Sequence, residues 1–208
     1  MTQRSQDLFW TKYYAEEYIK RNSGYDEELG VSAWESILKN TELNSGRYLE
    51  IGCNIGRNLN LISKTAPLLR PSVVEINHQA LSIARSRYKI EQFFSGPVQE
   101  AAFESRSFDL VFTSGVLIHI PPDDLLDTMR NMYNWSSKYV LMIEYFNRTP
   151  VQIEYRGAKD VLFKRDFGGL FLDNFNADIV DYGFLWGRIY DEAGFDDVTW
   201  WLFEKREP

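Results

Sequence analysis

The chain has 208 residues, 44% of them hydrophobic and 25% charged, enough to bury a sizeable core without disulfide or metal staples. Its formal net charge is −7, so its average field repels nucleic acid and disfavours a DNA or RNA substrate. One cysteine, Cys53, and two histidines, His78 and His119, exclude an intramolecular disulfide and a structural zinc site and suit a reducing, cytoplasmic compartment. No signal-peptide pattern opens the chain, and no run reaches the roughly 18 apolar residues of a membrane span.

In chain order, residues 5–22 carry Leu8, Phe9, Tyr13, Tyr18 and Ile19 at a broken helical spacing, ended by Ser23-Gly24, and a second helix is predicted from Ser32 to Lys39. The rhythm then changes. Tyr48–Ile51 is a short apolar strand stopping at Gly52, followed by a helix from Asn58 to Lys64. Val73–Ile76 is a second strand, and Asn77 is the N-cap of a helix running through Tyr88. Gln92–Phe94 forms a weak third strand and Phe108–Thr113 a clear fourth. Pro121-Pro122-Asp123-Asp124 opens a helix to about Tyr133, with proline and acids where a first turn favours them, and Tyr139–Phe146 is the fifth strand. Strands alternating with helices predict βαβ units and a parallel sheet covered on both faces. Ile179–Trp186 and Val198–Phe203 have no helical pattern between them and are expected to pair antiparallel. The whole is expected to be one domain, with residues 1–45 a helical cap and 46–208 a Rossmann-like core.

The chemistry concentrates after the first strand, in Glu50-Ile51-Gly52-Cys53-Asn54-Ile55-Gly56. Small residues there let the backbone turn tightly and approach a ligand, and the next helix offers unpaired N–H groups. A dinucleotide site would show G-x-G-x-x-G. Here Gly52 and Gly56 lie four apart with Asn54 between them, and a carboxylate precedes the turn. An acid at that point suits a ligand carrying a cationic amine better than a pyrophosphate. Glu75 ends the next strand, where a carboxylate can take both hydroxyls of a ribose. A third block, Ser107-Phe108-Asp109-Leu110-Val111-Phe112 leading to Ser114-Gly115-Val116-Leu117-Ile118-His119, resembles the fourth-strand motif of class I S-adenosylmethionine-dependent methyltransferases. The first motif resembles the glycine-rich motif of the same superfamily, with Asn54 in place of a common glycine.

That resemblance implies an α/β, Rossmann-like class I methyltransferase fold: a seven-stranded, mostly parallel sheet finished by a C-terminal antiparallel hairpin. It implies S-adenosyl-L-methionine as cofactor and no metal. Glu50, Gly52, Asn54 and Gly56 would hold the methionine end, Glu75 the ribose and Ile76 the adenine face. Val98 and Gln99 would lie by the adenine edge, and Ser114 and Gly115 by the amino-acid part. Across most of its length the chain also resembles the pseudaminic acid biosynthesis-associated methyltransferases, in Tyr18–Asn22, Asn54–Leu59, Glu144–Asn147, Tyr155-Arg156-Gly157, Phe163–Phe167 and Val180–Phe184. The implied acceptor is a small molecule, a nonulosonic sugar or its nucleotide-activated form. Arg156, Lys164 and Arg165 would meet its anionic group, and Tyr145 and Tyr155 its apolar faces. His119 and Asp166 are the candidates for a general base, His119 having packing as its competing role. The alternatives are a nicotinamide oxidoreductase, a methyltransferase for an unrelated metabolite, and a cofactor-binding protein without catalysis. The sequence leaves the oligomeric state open.

Overall fold

The computed structural model describes residues 24–155 and 157–206. The expected helical segment at 5–22 lies outside them. The first described helix, α1 (Glu27–Leu38), begins earlier than the spacing suggested, because Asp26 caps it by accepting from Leu29 N–H (2.9 Å), with Glu27 and Glu28 in the first turn. Then follow β1 (Gly46–Ile51), α2 (Arg57–Thr65), β2 (Leu69–Glu75), α3 (His78–Arg87), β3 (Phe93–Ser95), β4 (Phe108–Ser114), α4 (Pro122–Trp135) and β5 (Ser136–Glu144). Asn77 is the cap of α3 as expected, its side chain accepting from Gln79 and Ala80 N–H.

The chain then forms elements that the sequence did not announce. β6 (Val151–Tyr155) and β7 (Ala158–Lys164) make a separate antiparallel hairpin turned through Gly157, whose φ of 75° is left-handed. α5 (Phe167–Asn174) follows, then β8 (Ala177–Leu185), the short α6 (Gly187–Tyr190) and β9 (Val198–Lys205). The main sheet has seven strands in the order β3-β2-β1-β4-β5-β9-β8. Pairs among the first five strands are parallel, and β9 runs antiparallel to both β5 and β8. The expected fold is therefore correct, C-terminal hairpin included.

Alternate residues of the sheet feed two apolar layers, as a two-residue strand period demands. Tyr48, Val73, Phe112, Leu141 and Trp200 face Trp34 and Ile37 of α1 and Leu59 and Ile62 of α2. Leu49, Val74, Val111, Val140 and Trp201 face Leu125, Met129 and Met132 of α4 and Phe167 and Phe171 of α5. Trp34 meets Phe112 edge to face at 5.1 Å and is fully buried. Truncating either ring would cost about 3–5 kcal/mol through lost burial and an unfilled cavity. The sheet order reverses between β1 and β4, so the loops after these strands splay apart at their C-terminal ends and leave a crevice. Among the described residues, no helix is long and apolar enough to cross a membrane.

Candidate active site

Two cavities open at that end of the sheet. The first, about 920 Å³ with its mouth, is bordered by Gly52, Asn54, Glu75, Ile76, Val98, Gln99, Ser114, Gly115 and His119 among others. The second, about 990 Å³, is bordered by Tyr25, Arg57, Tyr145, Tyr155, Asp191, Phe195 and Asp196 among others. They share Ser114, Gly115 and His119.

The loop after β1 is shaped by its glycines. Gly52 has φ 79° and Gly56 φ 91°, conformations that L side chains rarely adopt. A Cβ on Gly52 would lie 2.4 Å from Val116 Cγ2, and one on Gly56 would lie 2.6 Å from the Tyr88 ring. Asn54 also takes a left-handed φ of 49°, one of the few non-glycine types that tolerates it. Its N–H donates to Glu75 Oε2 (2.7 Å), while Asn77 N–H donates to Glu75 Oε1 (2.8 Å). Glu75 thus ties the β1 loop to the β2 loop, and its carboxylate keeps acceptor capacity for a ligand. Burial raises its carboxyl pKa, against those backbone donors.

Glu50 sits beneath this loop, 1% exposed, and borders neither cavity. Its Oε1 accepts from Asn58 Nδ2 (2.7 Å), and its Oε2 is buried without a protein partner, as is Asn54 Oδ1. Burial pushes the Glu50 carboxyl up to about 8; the Asn58 bond and the Arg57 charge work against it, and Glu75 reinforces it. A buried acid with an unmet acceptor next to a tight glycine loop fits an ammonium-bearing ligand.

Glu144, at the end of β5, holds the opposite wall. Fully buried, it accepts from Val116, Leu117 and Ile118 N–H at 3.1, 3.1 and 3.3 Å and so fixes the turn carrying Ser114 to His119. Burial pushes its carboxyl up to about 7 against those donors. The sequence reading gave Glu144 no such role, although an acid ending an apolar strand is the same signal that marked Glu50 and Glu75.

His119 stands where the cavities meet. Its Nδ1 lies 2.6 Å from Val161 O of β7, and a carbonyl only accepts, so the proton sits on Nδ1 and Nε2 is the acceptor nitrogen. Burial pushes its pKa down to about 4, against that carbonyl, so the ring is neutral at physiological pH. Its centroid lies 5.9 Å from that of the Tyr155 ring. Asp166 is placed differently. Its carboxylate caps α5 by accepting from Gly169 N–H (2.8 Å), and it borders neither cavity. The helix that begins right after it was not foreseen in the sequence, and it gives Asp166 a capping role.

Of the expected acceptor residues, Tyr145 and Tyr155 border the second cavity, and Arg156 lies outside the described residues. Lys164 and Arg165 do not border it. Lys164 Nζ lies 4.5 Å over the Tyr145 ring, whereas the Arg165 side chain is partly buried with Nε unpartnered. Expected as a basic cluster facing the acceptor, these two stand outside the cavity's lining because residues 151–164 fold back as a hairpin. Among the described residues, the cation that does border the cavity is Arg57, a residue given no role in the sequence. Its Nη1 donates to Gly194 O (2.7 Å) and its guanidinium lies 5.1 Å from the Phe195 ring, so it pins the 191–196 turn.

Comparison with known proteins bears on the fold. Residues 49–138 match the family described as methyltransferase domain. No curated protein sequence matches the chain. Solved structures share the fold at low identity. Magnesium protoporphyrin IX methyltransferase from Synechocystis, with bound S-adenosylmethionine, is 12% identical with a TM-score of 0.70, covering 99% of this chain and 100% of that one. The 1,6-didemethyltoxoflavin-N1-methyltransferase of Burkholderia thailandensis, with bound 1,6-didemethyltoxoflavin and S-adenosylhomocysteine, is 14% identical with a TM-score of 0.70, covering 97% and 87%. Phosphoethanolamine N-methyltransferase 1 of Haemonchus contortus is 15% identical with a TM-score of 0.71, covering 100% of this chain and 50% of that one. Residues 49–138 thus carry a methyltransferase domain, and the chain shares its fold with S-adenosylmethionine-dependent methyltransferases.

Proposed function

We propose that the protein transfers the cofactor's methyl group to a small polar acceptor lying in the second cavity. The observation that carries this reading is the meeting of the two cavities at Ser114, Gly115 and His119. A molecule in each would be bordered by these same residues and so lie beside the other, and an in-line displacement needs such proximity. The cofactor, when bound, supplies an electrophilic methyl on a sulfonium. The chain's own residues position and desolvate. Glu75 and Asn54 order the first cavity, Glu50 offers an acceptor to an ammonium, and Glu144 holds the shared turn. His119, neutral and with Nε2 as its acceptor nitrogen, takes the proton from an acceptor hydroxyl.

On the finer point, the acceptor we favour is a nonulosonic sugar or its nucleotide-activated form. Support comes from the resemblance running through Asn54–Leu59, Glu144–Asn147 and Phe163–Phe167, and from the tyrosines bordering the cavity, Tyr145 and Tyr155. Lys164, over the ring of Tyr145, would draw an anionic group toward that ring. The three structural relatives named above act on a porphyrin, a toxoflavin precursor and phosphoethanolamine, so the fold leaves acceptor choice to the cavity.

Calorimetric titration with S-adenosylmethionine, S-adenosylhomocysteine and NAD is the test. Binding of both adenosyl sulfur ligands, without NAD, is expected, followed by release of S-adenosylhomocysteine when sugar acids are added to the protein loaded with S-adenosylmethionine. NAD binding, or binding of none of the three, overturns the reading.

A further inference from the structure

The second cavity has two unlike walls. One is built by Tyr145, Tyr155 and Leu162, from the end of β5 and the β6–β7 hairpin. The other is the turn from Asp191 to Asp196, with Arg57 and Phe195. Arg57 already donates to Gly194 O and lies over Phe195, so its main visible task is to hold the turn in place. Among the described residues, two carboxylates, Asp191 and Asp196, then border the space against one guanidinium, and His119 is neutral. Counted over the described residues, the lining carries a net charge of about −1 on that side, which repels an anionic end of a ligand and favours hydrogen-bond donors. Asp196 accepts from Tyr145 O–H (3.2 Å), which joins the acidic turn directly to the aromatic wall.

Carboxylates accept from several hydroxyls at once, while Tyr and Phe rings pack against the C–H faces those hydroxyls leave bare. We infer that the 191–196 turn and the tyrosine wall form a clamp for a polyhydroxylated, sugar-type ring, with Asp191 and Asp196 binding its hydroxyls. The inference rests on the acceptor reading above and adds an orientation to it. The hydroxyl-bearing face of the acceptor points at the 191–196 turn, and any carboxylate or phosphate points away from it, toward the side of Tyr145 over which Lys164 lies. Asp191 and Asp196 are specificity residues and do not border the first cavity.

The test uses the full chain saturated with S-adenosylhomocysteine, titrated with N-acetylneuraminic acid and, separately, with its neutral methyl ester. Both probes carry the same polyol face, and only one carries a charge. Wild type is expected to bind both, with affinities within about threefold. Asp191→Asn and Asp196→Asn should each weaken both probes by about tenfold or more, since a charged acceptor is exchanged for a weaker neutral one. The amide oxygen introduced by Asp196→Asn would still accept from Tyr145, so the wall is kept, and S-adenosylhomocysteine affinity should stay within about twofold in both variants. Probe binding unchanged in both variants overturns the clamp. So does wild type that binds S-adenosylhomocysteine normally and neither probe. Loss of S-adenosylhomocysteine binding in the wild type would instead strike the methyltransferase reading itself, and so the two failures are distinguishable.

Discussion

The two cavities lie side by side and are built in opposite ways. The first is made almost wholly from the loops after β1, β2, β3 and β4, each supplying its residues within a short stretch of sequence. The second is assembled from α1's entry, the start of α2, the end of β5, the hairpin and the 191–196 turn, segments as far apart in sequence as Gly24 and Asp196. The first is fixed by backbone geometry, in left-handed glycines and carboxylates that grip N–H groups. The second is fixed by side chains, in ring stacking and ion placement. A fold that keeps its cofactor while changing its acceptor would divide its labour in this way, since side-chain walls can vary without disturbing the strand ends.

The sharpest way to break this contrast is at Glu75. Glu75→Ala leaves the N–H groups of Asn54 and Asn77 without their acceptor and removes the carboxylate from the first cavity. Affinity for S-adenosylhomocysteine should fall by about 100-fold or more in calorimetry, because several hydrogen bonds to a charged group are lost together. A loss below about threefold would mean that the loop is held by its glycines alone.

The meeting point of the cavities is probed at His119. In His119→Asn the amide can still donate to Val161 O, so the packing is kept while the acceptor nitrogen is lost. Turnover should drop by about 10²–10³, with cofactor affinity within about twofold. In the wild type the base must be neutral, so turnover should fall only as pH drops through about 4. Stability has the matching sign: a histidine whose folded pKa is depressed contributes stability above its unfolded value of 6.5, lost as pH falls from there toward about 4. His119→Asn should remove that part of the acid sensitivity in thermal melts.

A smaller effect concerns Glu50. Its carboxyl is raised to about 8 in the folded chain, so the protonated form predominates at neutral pH. Stability from this group is therefore full below 4.5 and declines as pH rises toward about 8. An ammonium at Oε2 favours the carboxylate, so ligand binding should expel a proton. S-adenosylhomocysteine affinity should rise by up to about tenfold per pH unit between about 6 and 8, with buffer-dependent binding enthalpy. Glu50→Gln should flatten that slope. A flat profile in the wild type would remove Glu50 from the ligand's surroundings.

The mildest change is expected at Asp166. Asp166→Ala removes the cap of α5 and should cost about 1 kcal/mol in chemical denaturation. Turnover should be unaffected. A turnover loss matching that of His119→Asn would return Asp166 to the chemistry and undo the assignment of His119.

How much of this was legible in the sequence follows the same division. Gly52 and Gly56 could be read because a left-handed turn between strand and helix admits few other residues, and Glu75 because an acid ending an apolar strand has few other reasons to be there. The βαβ rhythm revealed the sheet, since strands buried on both faces appear as apolar runs and helices as spaced ones. The hairpin was hidden although Val151, Ile153 and Tyr155 alternate with polar residues, because a short, exposed ribbon has no burial to sharpen its pattern. Asp166 as helix cap and Lys164 over Tyr145 were hidden for the same cause: both depend on where that ribbon folds.

Sequence by itself therefore determined the fold class and the loops that shape the first cavity, because local turn chemistry and strand period act over a few residues, while the cofactor came from the resemblance of its motifs to the methyltransferases. Only the tertiary structure decided that Arg57 and the 191–196 turn border one space with Tyr145 and Tyr155, with His119 bordering both it and the first cavity. Side chains far apart in sequence become neighbours there because β9 pairs antiparallel to β5, and no local pattern records that pairing.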